Sequence, residues 1–139
     1  MLQDTLENRI NRLIETNDPK KAQEFFDAKL AFTLGPEELL EEIKRGAENI
    51  NIIDVRRSED YKKSHIPHAI NLPESQWKNL SALSKNKINI IYSYAQPCHL
   101  AARAASHFAK EGYSVMELIG GYAEWEELDR HLDRPREMV

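Results

Sequence analysis

Three short, strongly apolar runs constrain the fold of this chain more than any other feature. They are INIIDV at residues 50–55, INIIYS at 88–93 and SVMELIG at 114–120. Each run has about the length of a β-strand and contains β-branched residues, and amphipathic helical patterns lie between the runs. Short apolar strands that alternate with helices indicate an α/β domain with a mostly parallel central sheet. We therefore expect one parallel sheet with helices on its faces.

The other patterns predict helices and short connecting elements around this sheet. Helices are expected over 2–16, from Pro19 onward, and over 36–46, 98–111 and 120–132, with shorter helical segments at 58–63 and 77–83 and a brief strand within HAINLP at 68–73. The chain then divides into an N-terminal helical extension (1–31), an α/β domain (32–132) and a polar tail (133–139). The Leu, Ile and Phe side chains of the extension need a cover, which is either the α/β domain or a homodimer interface.

Composition excludes several classes of protein. The net charge is −4 at pH 7, and no run of Lys and Arg is present, so we expect no nucleic-acid partner. No stretch approaches 18 apolar residues, and the N-terminus has no apolar signal region, so we expect neither a membrane span nor secretion. One cysteine in 139 residues rules out an internal disulfide and favours the reducing cytoplasm.

Two chemically active side chains lie at the end of the strand predicted over 88–93 and in the loop after it. Ser93 stands at the expected carboxyl end of the strand, and Cys98 comes five residues later at the start of an alanine-rich helix. Asp54 and Arg56 close the strand pattern at 50–55. Ligands of parallel α/β sheets bind beyond the carboxyl ends of the strands, so these residues should face one crevice. The loop residues Tyr94, Ala95, Gln96, Pro97 and His99 are expected to line it.

The motifs around these positions resemble the rhodanese family. IIDVRRSEDYKKSHIPHAINLP is similar to the rhodanese signature of an Asp-x-Arg strand end, a Glu-x-Tyr turn and a His-Ile-Pro segment, and MELIGGYAEW resembles its closing Gly-Gly and Trp. SYAQPCHLA further resembles the long-loop bacterial branch of single-domain rhodaneses, which has a Cys-x4-Cys pattern. The resemblance covers roughly residues 32–128. It implies a three-layer rhodanese-like fold and a sulfurtransferase that needs no cofactor.

In the family, a cysteine at the end of the fourth strand carries sulfane sulfur as a persulfide. It takes that sulfur from thiosulfate or a protein persulfide and passes it to a thiol acceptor, while backbone N–H groups of the loop stabilise the anion. By this alignment the nucleophile position is 93, where the chain has serine. A serine oxygen cannot form a persulfide, so we expect the chain to lack ordinary turnover of thiosulfate and cyanide.

Three interpretations of Ser93 remain open at this stage. The serine is an introduced substitution, or a natural loss that leaves a non-catalytic binding or regulatory domain, or the working thiol has moved to Cys98. Against the third interpretation, we expect Cys98 to lie on the far side of the loop from the nucleophile position. A phosphatase family with the same fold needs an Arg six residues after the nucleophile to bind phosphate. That position holds His99 in this chain, so we do not expect phosphatase activity.

The supporting residues have their own expected roles. Asp54 is expected to accept backbone N–H groups of the loop or to cap a turn, and Arg56 to pair with Glu59 rather than to bind a donor anion. Gly120 and Gly121 should form a tight turn with a close backbone approach. The histidines have no recognised ligand spacing, so no metal site is expected.

Overall fold

The computed structural model describes residues 2–133, with side chains for residues 7–132. The chain divides into two compact units, Met1–Ala31 and Phe32–Val139. Of the predicted polar tail, only its first residue is described, and that residue ends the last helix; the rest lies outside the described residues. No described helix is long and apolar enough to cross a membrane.

The first unit is made of two helices, as the sequence predicts. Helix α1 spans Leu2–Thr16, and α2 spans Pro19–Phe32, whose last residue belongs to the second unit. The turn between them depends on Asp18, whose Oδ1 accepts the N–H of Lys20 at 3.0 Å. A side-chain acceptor followed by proline at the first helical position satisfies the free N–H groups of a helix start. This local signal explains why the break between the helices is predictable.

The second unit is built on a five-stranded sheet whose strands all run parallel. The strands are β1 (Thr33–Leu34), β2 (Ile50–Asp54), β3 (Ile70–Asn71), β4 (Ile88–Tyr92) and β5 (Val115–Leu118), in the spatial order β1-β5-β4-β2-β3. The predicted α/β class and parallel sheet are confirmed. β1 was not predicted, because two residues are too few for a periodic pattern.

Helices cover both faces of this sheet. They are α3 (Pro36–Lys44), α4 (Ser58–Lys63), α5 (Leu100–Lys110) and α6 (Gly121–Asp133). The single helix expected over 77–83 is wrong, since the chain forms two 3₁₀ turns there, Glu74–Gln76 and Leu80–Ala82. Asn79 accepts the N–H of Ser81 through its side chain, and such local bonds compete with a continuous helix.

Two hydrophobic clusters, one on each face of the sheet, make the three layers. Ile52 and Tyr92 point to the face that Trp125 of α6 and Leu39 of α3 cover. The neighbouring Ile53 and Ile91 point to the opposite face, where Ala104 and Phe108 of α5 pack. Because both faces are buried, the central strands are rich in isoleucine on both sides, and the buried polar residues Asn89 and Asp54 are hydrogen-bonded. β2 and β4 are neighbouring parallel strands, so their carboxyl ends lie side by side, and Asp54 is opposite Tyr92 in the strand register.

Candidate functional site

Ser93 and Cys98 lie in direct contact at the carboxyl end of β4. The hydroxyl oxygen of Ser93 is 3.5 Å from the sulfur of Cys98. The loop reverses between them, since the N–H of Cys98 donates to the carbonyl of Ala95 at 3.0 Å. The expectation that Cys98 lies on the far side of the loop is therefore wrong. The turn at Ala95 delays α5 until Leu100, two residues later than the alanine-rich pattern indicates.

The surroundings of Cys98 favour its thiolate form. Burial by itself raises the pKa of the Cys98 thiol. The hydrogen bond with Ser93, the backbone N–H groups of Leu100 and Tyr94 and the charge of Arg103 lower that pKa by more, so it falls below the ordinary thiol value. Leu100 begins α5, and N–H groups at a helix start attract anions. The thiol therefore occupies the kind of N–H cradle that stabilises a sulfur anion.

The first turn of α6 holds the loop from behind. The N–H of Tyr122 donates to the carbonyl of Ser93 at 2.8 Å, and the N–H of Ala123 donates to that of Tyr94 at 2.9 Å. Gly121 has a φ of +59°, and a Cβ placed there would come within 2.8 Å of the Ser93 carbonyl oxygen. Gly120 donates its N–H to Oε1 of Gln96 at 2.9 Å. Both glycines thus form the tight turn and close backbone approach expected from the sequence.

Tyr94 is anchored away from the thiol, towards α4. Its hydroxyl donates to Oδ2 of Asp60 at 2.6 Å and accepts the backbone N–H of Arg57 at 3.1 Å. This bond from Tyr94, together with the nearby charge of Arg57, lowers the pKa of Asp60 despite partial burial. The loop is therefore held by its side chains as well as by its backbone. The remaining loop side chains, Gln96, Pro97 and His99, are exposed.

The buried charges beside the loop pair differently from the sequence-based expectation. Arg56 is only 4% exposed and pairs with Asp54, with 2.8 Å between Nη2 and Oδ2. Glu59 lies near Arg57 instead, so the expected Arg56–Glu59 pair is wrong. Asp54 also accepts the hydroxyl of Tyr92 at 2.7 Å. Oδ1 of Asp54 accepts the backbone N–H of Arg56 at 2.9 Å, so the carboxylate caps its own turn and supports the end of β4 rather than accepting N–H groups of the loop after β4.

Two residues near the loop, Arg103 and Asp60, were not among the predicted site residues. Arg103 lies one turn into α5, close enough for its charge to act on Cys98, and its guanidinium pairs with Glu74 at 2.8 Å. The spacing of five residues after Cys98 signals this position once the start of α5 is known. Asp60, the anchor of Tyr94, carries no sequence signal of its own, because the contact joins segments 34 residues apart.

The histidines do not gather into a metal site. His65 stacks on Tyr61 with 3.8 Å between ring centroids. His68 adopts a φ of 72°. Among the side chains that the structure describes, no three His, Cys, Asp or Glu residues are grouped to hold a metal ion.

A parallel sheet with a thiol near the start of the helix that follows a central strand is an arrangement that favours anion binding. Comparison with known families is more specific. The rhodanese-like domain profile matches residues 35–128. The chain therefore belongs to the rhodanese-like domain family, as its motifs indicate.

Individual relatives agree with this assignment. The crystal structure of the BH2092 protein of Bacillus halodurans superposes with a TM-score of 0.72 and 37% identity, over 81% of this chain and 83% of that one. The adenylyltransferase and sulfurtransferase uba4 of Ogataea parapolymorpha is 31% identical over 53% of this chain. YrkF of Bacillus subtilis, whose name proposes a sulfur carrier role, is 33% identical over 65% of this chain. The chain spans only 19% of uba4 and 50% of YrkF. These names support a sulfurtransferase-type family.

The close approach of Gly121 to the loop leads to a stability prediction. Gly121→Ala places a methyl group against the Ser93 carbonyl and forces an L-residue into the left-handed region. We expect the free energy of unfolding in urea to fall by about 2–4 kcal/mol. The matched control is Gly35→Ala, where φ is −92° and a Cβ meets nothing closer than 4.0 Å. The control should change stability by less than about 1 kcal/mol, and equal losses in both variants would contradict the packing argument.

Proposed function

We propose that this domain is a sulfurtransferase-type carrier that holds sulfane sulfur as a persulfide on Cys98. The observation that carries the proposal is the position of the Cys98 sulfur. It lies 3.5 Å from the side chain at the family's nucleophile position, and N–H groups of Tyr94 and Leu100 favour its anion. A persulfide formed there remains an anion within reach of the same groups. The contact with Ser93 supports the proposal that the chain's sole cysteine carries the sulfur.

The proposed reaction has two thiol-exchange steps. In the first, the Cys98 thiolate attacks the outer sulfur of the donor, and the donor's S–S bond breaks. The leaving group is sulfite when the donor is thiosulfate, or a thiolate when the donor is a persulfide. In the second step, an acceptor thiolate attacks the outer sulfur of the Cys98 persulfide. The Cys98 thiolate is then released, and no net oxidation of the chain occurs.

Position 93 itself does not carry sulfur in this proposal. A hydroxyl has no useful anionic fraction near neutral pH without a strong base, and its oxygen cannot form a persulfide. Ser93 is also only 2% exposed, so a donor would not reach it directly. We therefore keep the expectation that turnover through position 93 is absent, whether the serine is native or introduced.

The donors and acceptors follow from the charge around the loop and from the relatives. Arg103 is paired with Glu74, yet its charge still acts on Cys98, which suits an anionic donor such as thiosulfate or a persulfide. The names of uba4 and YrkF, a sulfurtransferase and a sulfur carrier, are consistent with a sulfur-transfer partner, which we propose to be a thiol acceptor. A chain with one cysteine that must stay reduced suits the cytoplasm, which we propose as its location.

Sulfur uptake tests this proposal directly. We expect the chain, incubated with cysteine persulfide and then freed of it, to gain about 32 Da, the mass of one sulfur, on the peptide that contains Cys98. Cys98→Ala should gain nothing, because no thiol remains in that variant. A chain that stays unmodified while Ser93→Cys takes up sulfur would contradict the role of Cys98. If neither accepts sulfur, a non-catalytic binding or regulatory domain is the better account.

We also propose that the N-terminal helical extension forms a homodimer. Its large apolar side chains are exposed, with 61% for Phe25, 55% for Phe26 and 78% for Leu30. Phe25 and Phe26 contact each other edge to face, with ring centroids 5.0 Å apart. An exposed aromatic and aliphatic surface of this kind favours association. A second copy of the same surface supplies a matching apolar partner in a symmetric pair.

Light scattering after size-exclusion chromatography tests the dimer. We expect the full chain to have twice its mass of 16.1 kDa, and Leu30→Glu to shift it towards the monomer. The control is Leu132→Glu, since Leu132 is 54% exposed on α6, outside the extension. A monomeric full chain would contradict the dimer.

A further inference from the structure

The contact between Ser93 and Cys98 has a consequence for the fate of a bound sulfur. The two side chains are already at 3.5 Å, so a cysteine at position 93 that keeps the orientation of the serine would place its sulfur in contact with that of Cys98. Two thiols in contact can form a disulfide. The residue at position 93 therefore decides whether a persulfide on Cys98 has a reducing partner within the same loop.

We propose that Ser93 makes Cys98 a one-thiol sulfur site, which retains its sulfur until an external thiol removes it. The inference rests on the proposed persulfide on Cys98. With a thiol at position 93, that thiol would attack the inner sulfur of the Cys98 persulfide. The S–S bond to the outer sulfur would break, hydrosulfide would leave, and an internal disulfide would form. The two thiol-level sulfurs of the loop would be oxidised, and the sulfane sulfur would be reduced to sulfide.

The Ser93 hydroxyl cannot carry out that reaction, yet it keeps a favourable contact with the sulfur. Its oxygen is neutral near pH 7 and is a poor nucleophile towards sulfur. Its hydrogen bond favours the thiolate of Cys98, and a persulfide anion at the same place can accept it as well. Serine thus donates a hydrogen bond to the sulfur of Cys98, but it cannot attack the persulfide as a second thiol would.

The chain offers no second thiol that could remove the sulfur from Cys98 internally. Ser93 is 2% exposed, and the backbone of Gly121 lies against its carbonyl. Cys98 is the only cysteine of the chain, so no other internal thiol can reach the persulfide. Cys98 is itself half-buried, and its neighbours in the loop, Pro97 and His99, are exposed. An external thiol must therefore approach from the open side of the loop, which makes the domain a carrier that hands sulfur on rather than a source of free sulfide.

The test compares the full chain with Ser93→Cys and Ser93→Ala after loading with cysteine persulfide. Donor is removed, and hydrosulfide and intact mass are followed without added thiol. We expect the full chain and Ser93→Ala to keep the sulfur, with a lifetime at least ~10-fold longer than in Ser93→Cys. Ser93→Cys should release one hydrosulfide per chain and end about 2 Da lighter than its reduced form, the mass of the two hydrogens lost on disulfide formation.

Controls separate this inference from the proposed function. The double variant Ser93→Cys, Cys98→Ala has one thiol at position 93 and should not release hydrosulfide. If Ser93→Cys keeps its persulfide as long as the full chain does, the role of Ser93 is wrong, although sulfur transfer on Cys98 stands. Spontaneous release of hydrosulfide by the loaded full chain would overturn the role of Ser93 even if Ser93→Cys does not fold. If the full chain takes up no sulfur at all, the proposed function fails first.

Discussion

Two backbone hydrogen bonds from the first turn of α6 hold the loop on which the sulfur site depends. The N–H groups of Tyr122 and Ala123 donate to the carbonyls of Ser93 and Tyr94, at 2.8 and 2.9 Å. With those carbonyls turned towards α6, the loop N–H of Tyr94 is left to act on the sulfur of Cys98. Only a residue without a side chain fits at Gly121, because any Cβ would touch the Ser93 carbonyl. The Gly-Gly turn and the thiol cradle are therefore parts of one arrangement.

A buried ion pair gives this arrangement a firm base. Arg56 and Asp54 are 4% and 0% exposed, and the Arg56 guanidinium also lies over the ring of Tyr122, 4.1 Å from its centroid. Asp54 accepts the hydroxyl of Tyr92, the last residue of β4. Removal of one partner of a buried pair leaves an uncompensated charge and typically costs about 3–5 kcal/mol. The pair thus links β2, β4 and α6 next to the loop. A small shift of the pair would therefore move Ser93 and Cys98 together.

Much of the fold could be predicted from the sequence, because its signals are local. The Ile-rich runs of β2 and β4, the Asp18-Pro19 helix start and the Gly120-Gly121 turn each depend on neighbouring residues. The site was harder to predict, because its contacts join distant segments. The turn at Ala95 that returns Cys98 to Ser93 does not follow from residue spacing, and neither does the choice of Arg56 between Asp54, two residues before it, and Glu59, three residues after it. The contacts of Asp54 with Tyr92 and of Tyr94 with Asp60 join segments more than 30 residues apart, and no local pattern signals them.

The central claim is that the folded loop activates the only thiol of the chain, and the pH dependence of its alkylation tests this most directly. Iodoacetamide reacts with the thiolate, so the pH of half-maximal rate reports the pKa of Cys98. The account predicts a value below that of the same chain unfolded in urea, where the thiol should titrate near ~8.5. Ser93→Ala should move the folded value upward, because one hydrogen bond to the thiolate is lost. A folded value equal to or above the unfolded one would contradict the account, since the loop would then give the thiol no advantage as a sulfur carrier.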